Sequence, residues 1–317
     1  MDNQQFSSFE EPNQIYTVPT GPKNAAYFRT RAREALKGNL VNTAVGGFVY
    51  NLVVSGVSVV GLIPFYVIVF TVLLRQSFSP EDRVPAGFFA TVLIGFAVMM
   101  GILILGMILV GGPAIVGYSR MHLDVIDGVE PRIGTIFSPF KTCFGKAVSL
   151  YFRLTLLACL ACLPIILLLF VGIMLIGLEN GALGVLCMLV GYVITIALAM
   201  VIYYRYSMSY YILAEYPEMS AGDALRNSAM LMKGKMWKLF CLDFSFIGWV
   251  LLVAVGGMLT CGVGMLIGIY VLMAYMQTAR AAFYDEITNR AAARQTVFPS
   301  LDPDDYISGE GSWQGDI

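Results

Sequence analysis

Charge is what this sequence has least of. Asp, Glu, Lys and Arg make up 13% of its 317 residues, against ~25% in a soluble globular domain. So few ionic groups cannot clothe a chain of this length in water. With 58% hydrophobic residues and a mean hydropathy of +0.74, the class that remains is a polytopic membrane protein. Histidine is nearly absent as well. His122, the only one, sits in Arg120-Met121-His122-Leu123-Asp124. Asp124 lies two positions away, so on a helix it points elsewhere and leaves no ligand pair or dyad. His122 is therefore expected to be an interfacial side chain. A Ser-His-Asp order, a metalloprotease motif and a phosphate-binding Gly-Lys-Ser/Thr loop are all missing. No catalytic residue, metal, cofactor or nucleic-acid partner is expected, and the chain is read as a non-enzyme.

Six cysteines are present, and Cys159-Leu160-Ala161-Cys162 has the spacing of a zinc or redox pair. It lies in an apolar run without a second pair or a nearby histidine, so packing between spans is the plainer reading. The first residues, MDNQQFSSFEEPNQ, lack a basic segment followed by an apolar one. Insertion is expected to be directed by an internal span.

Long apolar runs are what the chain does have. Residues 40–74 and 86–117 carry no formal charge and exceed the ~20 residues a bilayer requires. Gly61 and Pro64 are expected to kink or interrupt the first. Residues 154–178 and 181–204 form a third and a fourth span around a tight turn at Glu179-Asn180-Gly181, and 239–258 and 262–279 a fifth and a sixth. Residues 75–85, 118–146 and 205–238 connect them as polar segments. Threading six spans puts every one of the 20 Lys and Arg residues on one side except Arg75 and Arg83. By the positive-inside rule that side, with both termini, is cytoplasmic. The fold class is all-α: a polytopic bundle of six transmembrane helices in three hairpins, with amphipathic juxtamembrane helices. Residues 1–22 are expected to be a disordered polar tail, 23–294 the membrane domain, and 295–317 a disordered acidic tail.

Two amphipathic stretches flank the spans. In residues 24–38, Phe28, Ala32, Ala35 and Leu36 make one stripe, opposite Arg29, Arg33 and Lys37. From Ser220 onward, Ser220 and Asp223 signal a helix start. Ala224, Leu225, Ser228, Leu231 and Met232 then recur at helical spacing opposite Asp223, Arg226, Asn227 and Lys233. The second helix is expected to lie along the membrane surface, released at Gly234. Lys233, Lys235 and Lys238 beside Trp237 are candidate contacts for anionic lipid headgroups on the cytoplasmic side, each worth about 1 kcal/mol.

The layout repeats weakly. Gly38, Gly145 and Gly234 occupy matching steps, and Tyr118-Ser119-Arg120-Met121 and Tyr206-Ser207-Met208 close the first two hairpins. Gly111-Gly112, Gly256-Gly257 and the Gly264/Gly268 pair suit close helix approach. Tyr203, Tyr204, Tyr206, Tyr210 and Tyr211 suggest an interfacial aromatic belt. Asp243 falls about one turn inside the fifth span, at a depth similar to Arg153 and Arg205. These three form a candidate intramembrane charge cluster, read either as a structural ion pair or as a substrate or proton relay.

Taken together, Ala224-Leu225-x-x-Ser228, Met232-Lys233-Gly234-Lys235, Leu239-Phe240, Ser245-Phe246-Ile247-Gly248-Trp249 and Ala35-Leu36-Lys37-Gly38-Asn39 resemble the bacterial integral membrane proteins grouped as domain of unknown function 975. The resemblance spans residues 24–290. Its members commonly carry a Pro-Tyr near the last span, where this chain has Ile269-Tyr270. It implies an uncharacterised membrane family with no catalytic residues to carry over. The expected function is that of an accessory or scaffold protein of the cytoplasmic membrane, or an envelope-associated one, with a membrane-protein partner. The alternative is a transporter or lipid-handling protein with a cavity between hairpins.

Overall fold

Among the residues that the computed structural model describes, 23–78, 88–288 and 290, six helical stretches are long and apolar enough to cross a membrane. They are Leu40–Thr71, Val92–Ile126, Phe144–Gly177, Gly181–Glu215, Met236–Leu259 and Val263–Ile287. Both tails and most of the expected 75–85 loop lie outside the described residues. The elements are α1 (Ala25–Ala35), α2 (Leu40–Phe78), α3 (Phe88–Gly106), a π turn (Met107–Gly111), α4 (Gly112–Ile126), a 3-10 turn (Ile133–Phe137), α5 (Pro139–Thr142), α6 (Phe144–Ala161), α7 (Leu163–Gly177), α8 (Gly181–Tyr206), α9 (Ser209–Glu215), α10 (Ala221–Leu231), α11 (Met236–Phe244), α12 (Ile247–Leu259) and α13 (Val263–Ile287).

Three hairpins form as the hydropathy requires: α2 with α3, α7 with α8, and α12 with α13. Glycine sets how closely their helices approach. A Cβ on Gly184 would fall 2.6 Å from the Gly172 carbonyl oxygen, so at this crossing the backbones themselves are in contact. The hairpins meet mainly through α13, which packs against α2 with Tyr270 edge-on to Phe48 at 5.3 Å, whereas α7 and α12 stand apart from the other hairpins. α7 makes its substantial contacts with α6 and α8 alone, and α12 with α11's neighbour α13 alone. Only 6% to 17% of the most apolar stretch of each of the first five spans is buried, against 39% in the sixth.

Burial is concentrated at the basic end. There α1, α10 and α11 join the ends of α4, α6, α9 and α13 around one core, in which Leu123, Met208, Leu213, Met232, Leu239, Phe246, Phe283 and Tyr284 are essentially inaccessible. Water supplies the reason: apolar surface beyond the bilayer is driven inward, whereas in the lipid it has nothing to gain from protein. The first four spans run 32 to 35 residues because their basic ends continue into this module.

Local chemistry explains the flanking helices. Asn24 caps α1 by accepting from the Tyr27 amide at 3.1 Å, and Ser220 caps α10 by accepting from the Asp223 amide at 3.2 Å. Both helices end in the same way: Gly38 and Gly234 adopt left-handed backbone (φ +83° and +75°), which reverses the chain into α2 and α11. The expected stripe of α1, Phe28, Ala32, Ala35 and Leu36, is buried throughout.

Three expectations change, and the second span adds a local irregularity. Residues 75–78 continue α2 instead of opening a loop, and Pro64 sits inside that helix without ending it. The second span carries a π turn directly before Gly112-Pro113, where the missing proline N–H removes one helical bond. The apolar stripe of α10 faces protein, not lipid: Ala224, Ser228 and Met232 are fully buried, because α6, α8 and α9 cover it. The tyrosine belt is divided, with Tyr203 exposed while Tyr211 is buried and stacks on Tyr284 at 5.6 Å.

Candidate functional site

Each hairpin returns to the basic side on a helix that carries an acid at or near its end. Asp127 is the C-cap of α4, Glu215 the last residue of α9, and Asp285 lies in the last turn of α13. Carboxylates there oppose the helix dipole as well as one another. A single guanidinium resolves both conflicts. Arg290 meets Glu215 at 2.6 Å, Asp127 at 3.0 Å and Asp285 at 3.7 Å, and is itself only 11% exposed. Burial, the largest influence on Arg290, opposes its charge; the three carboxylates outweigh it and hold the pKa above the ordinary arginine value. Tyr284 donates to the other Glu215 oxygen at 2.6 Å, and Arg31 of α1 pairs with the fully buried Asp285. Charge-assisted bonds of this kind tie α1, α4, α9 and α13 into one unit.

This knot borders a cavity of about 940 Å³, whose walls include Glu215, Tyr216, Met219, Met230, Lys233 and Arg290. The volume suits a small ligand. Acid and Arg290 occupy one side, Lys233 and Lys235 contribute cations, and methionines supply adaptable apolar contact. Among the described residues no three His, Cys, Asp or Glu side chains are placed to hold a metal ion.

Asp243 is brought together with neither Arg153 nor Arg205. Its partner is Arg280 of α13, in a bidentate pair with both contacts at 2.9 Å. Tyr204 lies close to the same carboxylate, and the guanidinium lies 5.5 Å from the centre of the Tyr203 ring. This is the structural ion pair of the sequence reading with a different cation. Arg280 sits within α13 and reaches α11 because the two helices pack together. Arg153 is exposed beside Gly222 at the start of α10, and Arg205 is exposed at the end of α8. Lys235 borders the large cavity, Lys233 borders it and a smaller groove, and Lys238 lines neither.

His122 is a core residue where an interfacial one was expected. It is fully buried, with Nδ1 2.9 Å from the Thr278 hydroxyl and its ring edge-on to Tyr118. Asp124 pairs with Arg120 one turn back. The Ser245-to-Trp249 run forms the joint between α11 and α12. Phe246 packs on Tyr275 at 5.0 Å, and the Tyr275 hydroxyl donates to the Arg29 carbonyl. Cys159 and Cys162 are free and exposed at the α6–α7 joint.

Arg290 and its three acids escaped the sequence reading, yet a signal exists. Asp127 follows Tyr118 by nine positions and Glu215 follows Tyr206 by nine, the two tyrosines that open the repeated hairpin ends. A family model described as a protein of unknown function (DUF975) matches residues 23–291. No curated protein and no solved structure matches the chain.

Proposed function

The chain belongs to the DUF975 family, and we propose that it is a non-enzymatic scaffold of a bacterial cytoplasmic membrane that engages the spans of a partner membrane protein. The observation that carries this reading is the contrast between a module locked by buried ion pairs and hairpins whose apolar faces find little protein of their own chain. The basic module then lies in the cytoplasm with both termini, since every Lys and Arg but Arg75 and Arg83 lies to that side of the spans. Lys233, Lys235 and Lys238 add attraction to anionic headgroups, at about 1 kcal/mol each.

Transport is the weaker reading. Asp243, the acid a relay would use, is held by Arg280, and the large cavity is walled by the module, not by the facing hairpins. A photo-crosslinking residue placed at Leu167, Val193 or Leu251 tests the scaffold. One and the same membrane protein should be recovered from more than one hairpin, and its abundance should fall when this chain is deleted. Lipid adducts alone, combined with specific solute uptake by the purified chain in liposomes, would overturn it.

A further inference from the structure

Lys233 and Met230 also line a second depression of about 380 Å³, together with Arg205, Arg226, Ala229 and Met236. Half of its lining residues are cations and none is an acid. The contrast with the knot around Arg290 is sharp: among the described residues the side chains of Arg205, Arg226 and Lys233 enter no ion pair. Backbone structure holds these like charges together. Arg205 closes α8, Ser228 of α10 donates to the Arg205 carbonyl at 3.1 Å, and the left-handed Gly234 fixes the turn that presents Lys233. Three unneutralised cations held around one small depression repel one another until an anion enters.

We propose that this groove binds the phosphate of an anionic phospholipid headgroup. Phosphate oxygens accept from the forks of Arg205 and Arg226 while the Lys233 ammonium adds a point charge. Position argues for a lipid source. Tyr203, two residues before Arg205, is 48% exposed, and Trp237, next to Met236, is 71% exposed; such amphipathic rings settle at the headgroup level. Met230 and Met236 offer apolar contact to the glycerol and upper acyl chain. The inference rests on the reading of the basic side as the anionic-leaflet side, and it replaces diffuse attraction to a lysine cluster with one stoichiometric site.

The test uses the full chain released from mixed phosphatidylglycerol and phosphatidylcholine vesicles, with retained lipid counted by native mass spectrometry. One phosphatidylglycerol should remain bound. Retention should drop about fivefold for each groove cation neutralised, the fold-change equivalent to about 1 kcal/mol per residue. The double variant R226Q/K233Q should thus fall about 25-fold, whereas R132Q/K141Q, an equal loss of two exposed charges on the same side and away from the groove, should leave retention unchanged. Equal losses in both would reduce the effect to general charge attraction and overturn the site. Displacement by millimolar inorganic phosphate would overturn the lipid assignment in favour of the free anion. Each variant is checked by its melting temperature; if the double variant does not fold, Arg205→Gln is read in its place, and R226K should retain the lipid. Hairpin crosslinking in the same vesicles reads the scaffold separately, so either reading can fail without the other.

Discussion

The two ends of this molecule solve opposite problems with the same helices. In the basic module, charged and aromatic side chains converge: Arg290 with three acids, Arg280 with Asp243, and Phe246 on Tyr275. In the lipid-facing hairpins few side chains meet another hairpin, Phe48 on Tyr270 being an exception, and glycine pairs such as Gly172 and Gly184 bring the two helices of a hairpin together. Water makes burial favourable at the first end. At the second, lipid tails are as apolar as leucine, so only close backbone approach holds helices together. The comparison teaches that the stability of this chain is lodged outside the bilayer core, while the surface inside it is left available.

That contrast can be broken from the module first. Arg290→Met would leave the three carboxylates around it short of their shared cation, and should lower unfolding free energy by about 3–5 kcal/mol, the range for a disrupted buried ion pair. Thermal unfolding in micelles checks this, and a loss no larger than that of an exposed-site control would dissolve the knot as a stabilising unit. Next, Asp243→Asn removes one charge of a pair that is 13% and 17% exposed. A loss of about 3 kcal/mol is expected, with the α11–α13 contact, followed by cysteine crosslinking, loosened in parallel. In the hairpins, Gly184→Leu overpacks the crossing with Gly172, at a cost of about 1–3 kcal/mol. Its mark should be confined to α7 and α8: hydrogen exchange rising there while the module keeps its protection, with spread into the module counting against the division. The smallest change is Asn24→Ala, which removes the α1 cap and should cost about 1 kcal/mol, seen as fraying of α1 alone.

Much of this was legible in the residues. The six spans, the Ser220 cap and the Gly38 and Gly234 steps follow from local pattern, and the α1 stripe is buried as its spacing predicts. What the α10 stripe packs against was not legible, since a helix presents the same apolar face to lipid and to protein. The partner of Asp243 was equally hidden: Arg280 stands 37 positions on, and a depth match with Arg153 or Arg205 says nothing of which helices pack side by side. The acids at the return-helix ends could have been found by carrying the Tyr118 and Tyr206 repeat nine residues further. Their cation could not, because Arg290 reaches Asp127 across 163 positions.

By itself, then, the sequence settles which six stretches are long and apolar enough to cross a bilayer, and from them an expected side for each charge. Both are local matters, because each span must satisfy its own backbone hydrogen bonds in lipid. Which cation meets which acid, and which apolar face is covered, only the tertiary structure decides. Those contacts depend on helices far apart in the chain coming side by side, and hydropathy carries no record of that arrangement.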